Sequence, residues 1–254
     1  MLIARFTTGE DPRFGVVEGP QLAVVTGDPL YTPIQFTGER VALDDARLLA
    51  PVIPRSKVIG IGRNYAEHAA ELGNEVPAEP LVFLKPNTSV VGPGDPIVLP
   101  QASSEVHYEG ELAVVIGRVC RDVPRERVAE VVLGYTCAND VTARDLQKSD
   151  GQWWRAKGSD SFCPLGPWLA TGLDPADLRV TTRLDGEVVQ DGRTSQMVHD
   201  VPALVAFVSS AMTLLPGDVI LTGTPAGVGP MRPGSRVEVE IEGIGVLQNT
   251  AVRR

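Results

Sequence analysis

The chain has 254 residues, 43% of them hydrophobic and 22% charged, and this length favours one large domain with or without a small appendage. Its net charge of −9 comes from interspersed acidic and basic residues without a basic run, which excludes nucleic-acid binding as the expected main role. Because residues 1–10 lack a signal-peptide core and no apolar run approaches membrane-spanning length, we expect a cytoplasmic protein without a membrane partner.

Residues 1–54 are predicted to form a small β-rich N-terminal unit, because short apolar runs alternate there with Gly, Pro or Asp turns. The predicted strands are Leu2–Phe6, Phe14–Val17 and Leu22–Val25. Pro51–Pro54 makes a stiff connector, and residues 55–254 are predicted to form the main domain.

The main domain begins with a predicted buried strand, Val58–Gly62, and a predicted helix, Asn64–Leu72, that is closed by a Gly-Asn pair. His68 and Glu71 lie three residues apart and are therefore neighbours on one helix face. A carboxylate beside an imidazole raises its basicity and fixes its orientation, as a general base requires. An incidental pair on a surface helix is the alternative.

A predicted strand, Leu81–Leu84, leads into Lys85, and the next notable segment carries Glu109 and Glu111 ahead of the apolar run Leu112–Ile116. Residues at i and i+2 of a strand project to the same side, and the apolar run is typical of a strand buried on both faces. Two such carboxylates favour a hard divalent cation. A solvated pair at the mouth of a strand is the alternative.

A third carboxylate follows the predicted helix Arg125–Val132 and the predicted strand Gly134–Ala138. Asp140 leaves that strand, and together with Glu109 and Glu111 it would leave coordination positions open for water and substrate. Asp145 is a competing candidate, although capping a turn or pairing with an arginine is the favoured role for it.

Cationic residues near turns, Lys85, Arg144 and Lys157, favour a pocket for an anionic substrate, although each could equally be a surface residue. The glycine-rich turn 222–229 follows a predicted strand but lacks a Walker lysine, so close approach of its backbone to a small carboxylate is preferred over phosphate binding. A helix is predicted over Val201–Leu214.

The remaining segments are predicted to be strands, namely Asp218–Thr222, Arg236–Ile241 and Val246–Gln248. Strands outnumber helices and do not alternate regularly with them, which argues against Rossmann and TIM architectures. An α+β fold that is predominantly β is therefore expected.

From about residue 57 onward, six motifs in this order resemble the fumarylacetoacetate hydrolase family. They are Gly60-Ile61-Gly62-Arg63-Asn64-Tyr65-x-x-His68-x-x-Glu71, Phe83-Leu84-Lys85-Pro86, Tyr108-Glu109-Gly110-Glu111-Leu112, Asn139-Asp140-Val141-Thr142-Ala143-Arg144-Asp145, Ala156-Lys157-Gly158 and Thr222-Gly223-Thr224-Pro225-Ala226-Gly227-Val228-Gly229. The resemblance implies a mixed β-sandwich or roll as the catalytic core, and a homodimer. It also implies one Mg²⁺ or Mn²⁺ per active site, held by Glu109, Glu111 and Asp140.

The same resemblance assigns roles to the other residues of the site. His68 and Glu71 would form a catalytic pair on a lid that closes over the substrate, and Lys157 would also be catalytic. The expected substrate-binding residues are Tyr65, Lys85, Arg144, Gln147 and Thr224.

The resemblance also implies a small anionic 2-oxo or 2,4-dioxo acid as the substrate, and we expect the reaction to pass through an enolate stabilised by the metal. C–C bond hydrolysis or decarboxylation, for example of an acylpyruvate or oxaloacetate, is the leading expectation. The alternatives are isomerisation of 2-hydroxyhepta-2,4-diene-1,7-dioate in aromatic catabolism, and a lyase or dehydratase reaction on a sugar-derived 2-oxo acid. A binding module without catalysis would be expected to have lost the metal ligands or the lid pair, and both are present.

Overall fold

β-strands are the main regular secondary structure of the computed structural model, which describes residues 1–253 of the chain. Within that range the strands are β1 Leu2–Thr7, β2 Arg13–Glu18, β3 Gln21–Val25, β4 Phe36–Ala42, β5 Arg47–Leu49, β6 Val58–Gly62, β7 Leu81–Lys85, β8 Val90–Val91, β9 Pro96–Leu99, β10 Val106–Tyr108, β11 Gly110–Ile116, β12 Val132–Asn139, β13 Thr142–Ala143, β14 Cys163–Ala170, β15 Arg179–Leu184, β16 Glu187–Arg193, β17 Val219–Leu221, β18 Gly229–Pro230, β19 Arg236–Ile241 and β20 Gly245–Arg253. The α-helices of the same range are α1 Ala66–Glu71, α2 Arg144–Ser149, α3 Trp154–Lys157 and α4 Val201–Ala211.

The strands form three sheets, and this architecture confirms the expected α+β fold that is predominantly β. The largest sheet has twelve strands and the order β4-β3-β2-β1-β14-β12-β11-β17-β6-β7, with β5 paired to β1 and β8 to β14. A five-stranded sheet has the order β16-β15-β19-β20-β9, and a small sheet joins β13, β10 and β18. None of the helices among residues 1–253 has both the length and the apolar character needed to cross a membrane.

The N-terminal strands continue the largest sheet of the molecule. β1 pairs antiparallel with β14, so that Leu2 lies opposite Ala170 and Ile3 opposite Leu169. The first strands also bury a small cluster of their own, formed by Ala4, Phe6, Leu22 and Val24. Residues 1–54 therefore share backbone hydrogen bonds with the main domain, and the boundary at residue 54 stays a prediction.

Strand β11 lies at the centre of the fold, and the predicted metal ligands Glu109 and Glu111 lie at its beginning. Its residues Leu112–Ile116 are all buried, as the sequence predicts. Leu112 and Val114 pack into the cluster that includes Leu204 of α4, whereas Ala113 and Val115 face a second cluster on the opposite side. Because side chains alternate along a strand, β11 joins two apolar cores and is held rigidly between them.

Three of the predicted helices differ from the structure at their ends or in type. Arg125–Glu130 is a 3-10 helix rather than an α-helix, because Val132 already pairs with Ile116 in the sheet. Helix α4 stops at Ala211, since Leu214 forms a β-bridge with Cys120. Helix α1 begins at Ala66 rather than at residue 64, because Tyr65 is extended and bridges Met197.

Candidate active site

Three buried carboxylates come together where β11 begins and β12 ends. Glu109 lies between β10 and β11, Glu111 is the second residue of β11, and Asp140 directly follows β12. The two strands are antiparallel with Gly110 opposite Asn139, and the Asp140 amide donates to the Glu109 carbonyl at 2.8 Å. One oxygen from each carboxylate lies within 4.8 Å of the others. Pairing of the two strands therefore brings together the three residues that were predicted to bind a metal.

Two of the three carboxylates are neutralised by cations of the chain. Lys157 Nζ lies 2.6 Å from Glu109 Oε2 and 2.6 Å from Asp140 Oδ2. Arg144 donates to the other oxygen of Glu109, and Lys85 donates to the other oxygen of Asp140. Burial on its own would raise the pKa of Glu109, but the charges of Lys157 and Arg144 outweigh burial and lower it. Glu109 is therefore ionised at neutral pH.

Glu111 differs from its two neighbours, because it forms no ion pair with any residue among 1–253. Its Oε2 accepts a hydrogen bond from the Gly223 amide at 2.7 Å. Burial raises the pKa of Glu111 well above its ordinary value, and the negative charges of Asp140 and Glu109 raise it further. A buried carboxylate beside two others, without a counter-charge of its own, fits a site for a divalent cation that prefers oxygen ligands.

Lys157, at the end of α3, has the position of a structural cation within this cluster. It is 3% exposed, so burial alone would lower its pKa, but the charges of Asp140 and Glu109 outweigh burial and raise it. Its Nζ also lies 4.9 Å from the centroid of the Phe83 ring. These contacts favour the protonated form of Lys157, which donates hydrogen bonds to both carboxylates, and its catalytic role stays a prediction.

His68 and Glu71 form a hydrogen-bonded pair on α1, at the mouth of the carboxylate cluster. His68 Nδ1 lies 3.1 Å from Glu71 Oε2, and His68 Nε2 lies 4.0 Å from Glu109 Oε1. Because the carboxylate accepts the Nδ1 proton, the lone pair of a neutral imidazole is on Nε2, the atom nearer the cluster. This arrangement is that of a general base with an orienting carboxylate.

A cavity of about 270 Å³ joins these groups. The predicted site residues on its wall are His68, Glu109, Glu111, Arg144, Gln147, Lys157 and Thr224. Arg144 donates from one terminal nitrogen to Gln147 at 2.9 Å, and its buried Nε has no hydrogen-bond partner within the described chain. This N–H is thus a buried donor without an acceptor in the described chain.

The other predicted site residues lie behind the cavity wall. Asp140 and Lys85 are each 1% exposed and pair with each other. Glu71 stands on the far side of His68. Tyr65 is packed in the main apolar core, and its buried hydroxyl has no partner in residues 1–253. Burial and the charge of Glu111 raise the pKa of Tyr65, so this hydroxyl is neutral.

The glycine-rich turn brings its backbone close to two carboxylates, and both belong to the protein itself. Gly223 N–H donates to Glu111, and Gly227 N–H donates to Glu71 Oε1 at 3.0 Å. Both glycines have positive φ angles, 96° and 103°, a conformation that favours glycine. These two amides thus bind the carboxylates of a predicted metal ligand, Glu111, and of the predicted catalytic pair, Glu71, while approach of the turn to a ligand carboxylate stays a prediction. Thr224 has a related role, since its hydroxyl donates to the Gly110 carbonyl at 2.8 Å.

Asp145, the competing candidate for the metal, has a structural role. It accepts hydrogen bonds from the Ser103 hydroxyl at 2.6 Å and from the Ser104 amide at 2.8 Å. It therefore fastens the start of α2 to the turn before β10, in keeping with the capping role that the sequence favoured.

The sequence reasoning missed several residues of the site. Arg63, Lys148 and Trp153 line the cavity, and Gln190 Nε2 donates to the Thr224 hydroxyl at 2.7 Å. Asn64 joins the segment before α1 to two other loops, donating to the carbonyls of Thr222 and His199. Arg63 and Asn64 lie within the first of the six motifs, but no role was predicted for them, because the residues around them in the site come from distant parts of the chain.

Two protein families match the chain and together span nearly all of it. The family described as fumarylacetoacetate (FAA) hydrolase C-terminal matches residues 57–252, and a second family, described as Rv2993c-like N-terminal, matches residues 1–51. Among curated relatives, the mitochondrial oxaloacetate tautomerase Fahd2a of Rattus norvegicus is 42% identical over 276 residues, covering 96% of this chain and 88% of that protein.

Solved structures share the whole fold. A 5-carboxymethyl-2-hydroxymuconate delta-isomerase from Mycobacterium smegmatis is 50% identical with a TM-score of 0.93, and each chain is covered completely. A maleylpyruvate hydrolase from Sphingobium sp. SYK-6, in complex with manganese(II) and pyruvate, is 36% identical with a TM-score of 0.83, covering 100% of this chain and 99% of that one.

Proposed function

Because the chain belongs to the fumarylacetoacetate hydrolase family, we propose that it is a divalent-metal-dependent enzyme that moves a proton at the carbon beside the keto group of a small 2-oxo acid. The observation that carries the proposal is the position of His68. Its Nε2 lies 4.0 Å from a carboxylate of the candidate metal site, and its Nδ1 is held by Glu71. We propose that His68 acts as a base next to the site where negative charge would develop.

Glu109, Glu111 and Asp140 would hold the divalent cation, since their oxygens are close together and Glu111 lacks a counter-charge. When bound, a divalent cation supplies positive charge that stabilises the negative charge of an enolate oxygen. The manganese and pyruvate in the maleylpyruvate hydrolase structure support this class of metal and ligand.

The charge balance of the site favours an anionic substrate. The three carboxylates face three cationic side chains, Lys85, Lys157 and Arg144, which leaves the cluster close to neutral. A divalent cation would then leave the site with excess positive charge, which an anionic substrate would neutralise. We propose that Arg144 binds the substrate carboxylate through its unpaired Nε–H, with Gln147 and Lys157 as further donors.

His68 would carry out the proton transfer. Its Nε2 takes the proton from C3 of the 2-oxo acid, and the electron pair of the broken C–H bond becomes the C2–C3 double bond of the enolate. Glu71 accepts the Nδ1 hydrogen bond and stabilises the imidazolium that results. Return of the proton to the enolate oxygen completes tautomerisation, and return to a different carbon of a conjugated substrate completes isomerisation.

Hydrolysis of a C–C bond is the second candidate, because the same His68–Glu71 pair could take a proton from water. The hydroxyl would add to a C4 carbonyl, and the C3–C4 bond would break with its electrons remaining on C3 as the enolate. Decarboxylation of a C4 carboxylate would need no such water. The maleylpyruvate hydrolase among the structural relatives supports the hydrolytic alternative.

A small substrate panel tests the proposal. Purified protein with Mg²⁺ or Mn²⁺ should be compared with chelator-treated protein on enol-oxaloacetate, acetylpyruvate and 2-hydroxyhepta-2,4-diene-1,7-dioate. We expect turnover of at least one substrate that requires the metal and falls about 100-fold or more in His68→Ala. Failure to accelerate any of the three, or full activity in His68→Ala, would reject the proposed function.

A further inference from the structure

Arg63 is an unpaired cation on the wall of the active-site cavity. It lies between β6 and α1, directly after Gly62, and its side chain is half-buried. Among residues 1–253 it has neither a hydrogen-bond partner nor an ion-pair partner. A guanidinium has five N–H donors arranged as a planar fork that matches a carboxylate.

The other cationic side chains around the cavity already have partners. Arg144 and Lys157 are bound to the carboxylate cluster. Lys148 lies 3.5 Å from Glu105, and its side chain is 74% exposed. Arg63 is therefore the cavity-lining cation of the described chain whose charge no protein carboxylate neutralises.

The backbone at Arg63 adds an independent observation. Its φ angle is +58°, the left-handed region that costs free energy for a residue with a Cβ and that glycine would adopt more easily. A strained backbone persists where the surrounding structure holds it in place, and such positions cluster at ligand sites. With this backbone conformation, the Arg63 side chain lines the cavity at the segment between Gly62 and the start of α1.

We propose that Arg63 is a specificity-determining residue that binds the second carboxylate of a 2-oxo dicarboxylic acid, an inference that rests on the proposed function. The 2-oxo carboxylate would be bound at the end of the cavity formed by Arg144 and Gln147. A second carboxylate would meet the Arg63 guanidinium, where a neutral substituent would leave this partly desolvated cation without a partner. Arg63 would thus select dicarboxylates over acids with an uncharged C4 group.

The excess positive charge of the metal-loaded cluster points to the same substrate class. A monoanionic 2-oxo acid would neutralise only part of that charge and none of the charge of Arg63, whereas a dianion places one negative charge near each of them. The two carboxylates would therefore fix the substrate at both ends and hold C3 in position for His68.

Two matched substrates test the inference, namely oxaloacetate and its 4-methyl ester, in which a neutral ester replaces the second carboxylate. In metal-loaded Arg63→Gln, which keeps a Cβ at this φ angle, KM for oxaloacetate should rise about 10- to 100-fold, the range expected for loss of a charge-assisted hydrogen bond. KM for the methyl ester should not rise, because the variant removes a cation that this neutral group leaves without a partner, and Arg63→Lys should recover part of the loss for oxaloacetate. Equal losses for both substrates, or no change for either, would overturn the inference.

Binding without turnover separates this inference from the proposed function. 3,3-Difluoro-oxaloacetate has two carboxylates but no C3 hydrogen, so it cannot undergo the proposed proton transfer, and calorimetric titration of the metal-loaded protein, with fluorine NMR to verify that the ligand is not decarboxylated, measures recognition. Its affinity should fall about 10- to 100-fold in Arg63→Gln, whereas the affinity for oxalate, which reaches only the metal end, should stay within twofold. Such binding in a wild-type protein that transforms no 2-oxo acid would reject the proposed function and leave the role of Arg63 supported. Unchanged difluoro-oxaloacetate affinity would overturn the role of Arg63.

Discussion

His68 Nδ1 donates to Glu71 Oε2 across 3.1 Å, and the other oxygen of the same carboxylate accepts from the Gly227 amide at 3.0 Å. The Glu71 carboxylate thus has two roles, one for each of its oxygens. It sets the tautomer of His68 and ties helix α1 to the glycine-rich turn. The Tyr108 hydroxyl donates to the carbonyl of the same glycine at 2.9 Å, which fixes the turn from its other side.

Glu71→Gln should lower the turnover rate about 100-fold or more while leaving metal affinity unchanged. An amide NH₂ facing Nδ1 would favour the tautomer with its proton on Nε2, and that tautomer has no lone pair toward the cavity. Steady-state kinetics and calorimetric titration with Mn²⁺ measure the two effects. Glu67→Gln on the exposed face of the same helix is the control, and an equal loss in both variants would show that the loss does not come from the His68 contact.

Gly227→Ala should destabilise the protein more than Gly172→Ala, although both glycines have positive φ angles, 103° and 70°. The second change introduces backbone strain alone, which costs about 1 kcal/mol. The first also places a Cβ 1.9 Å from the Val189 carbonyl oxygen, so the turn must move and the Glu71 contact is weakened. Chemical denaturation measures the difference, and equal losses of stability would contradict the tight packing of this turn.

Glu109→Gln and Glu111→Gln should have different effects on the stability of the metal-free protein. Removing the Glu109 charge leaves Lys157 and Arg144 without part of their compensation and should cost about 3–5 kcal/mol. Removing the Glu111 charge takes away a carboxylate whose pKa is raised by burial and by its acidic neighbours, so stability should be unchanged or higher. Denaturation in the presence of a chelator tests this, and an equally large loss for Glu111→Gln would refute the charge assignment.

Both variants should nevertheless lose Mn²⁺ binding, because each removes a ligand of the predicted metal site. Electron paramagnetic resonance of free Mn²⁺ gives the bound fraction. Glu105→Gln, whose side chain is 40% exposed near the same segment, is the control and should bind Mn²⁺ as the wild type does. Wild-type Mn²⁺ affinity in Glu111→Gln would remove this residue from the ligand set.

Because His107 is partly buried, we expect the protein to lose stability on acidification. Burial lowers the pKa of His107 from 6.5, and the positive charge of Arg144 lowers it further. His107 of the unfolded chain therefore binds a proton as the pH falls through 6.5, whereas His107 of the folded chain binds it only at a lower pH. The free energy of unfolding therefore decreases as the pH falls below 6.5. In His107→Gln the melting temperature should fall less between pH 7 and pH 5, and parallel curves for variant and wild type would contradict this account.

The sequence predicts those parts of the site that depend on local spacing. Glu109 and Glu111 flank the start of a strand, His68 and Glu71 lie one helical turn apart, and both relationships follow from the period of a single element. The roles of Lys157 and the glycine-rich turn could not be predicted in this way, because they depend on which distant carboxylates the sheet brings to them. Arg63 belongs to the second group, since a left-handed φ angle at an arginine leaves no mark in the sequence.

The short 3-10 helix shows the same limit for the fold. The polar and apolar spacing of residues 125–132 is typical of a helix, yet pairing of β12 with β11 extends the chain from Val132 onward. Tertiary hydrogen bonds outweigh local helix propensity there. The homodimer and the cytoplasmic location depend on surfaces and surroundings beyond one chain, and they stay predictions.

Exchange of the C3 hydrogens of oxaloacetate with D₂O, followed by proton NMR, tests the central claim most directly. Removal of a C3 proton by His68 is the step on which the proposed tautomerisation and isomerisation both depend, and exchange reports that step directly, whereas hydrolysis and decarboxylation protonate C3 only after the C3–C4 bond has broken. Exchange should be faster with the metal-loaded protein than in buffer with the same metal, and it should return to the buffer rate in His68→Ala and in Glu111→Gln. Exchange at the buffer rate with the wild type, or unchanged acceleration in both variants, would contradict the account.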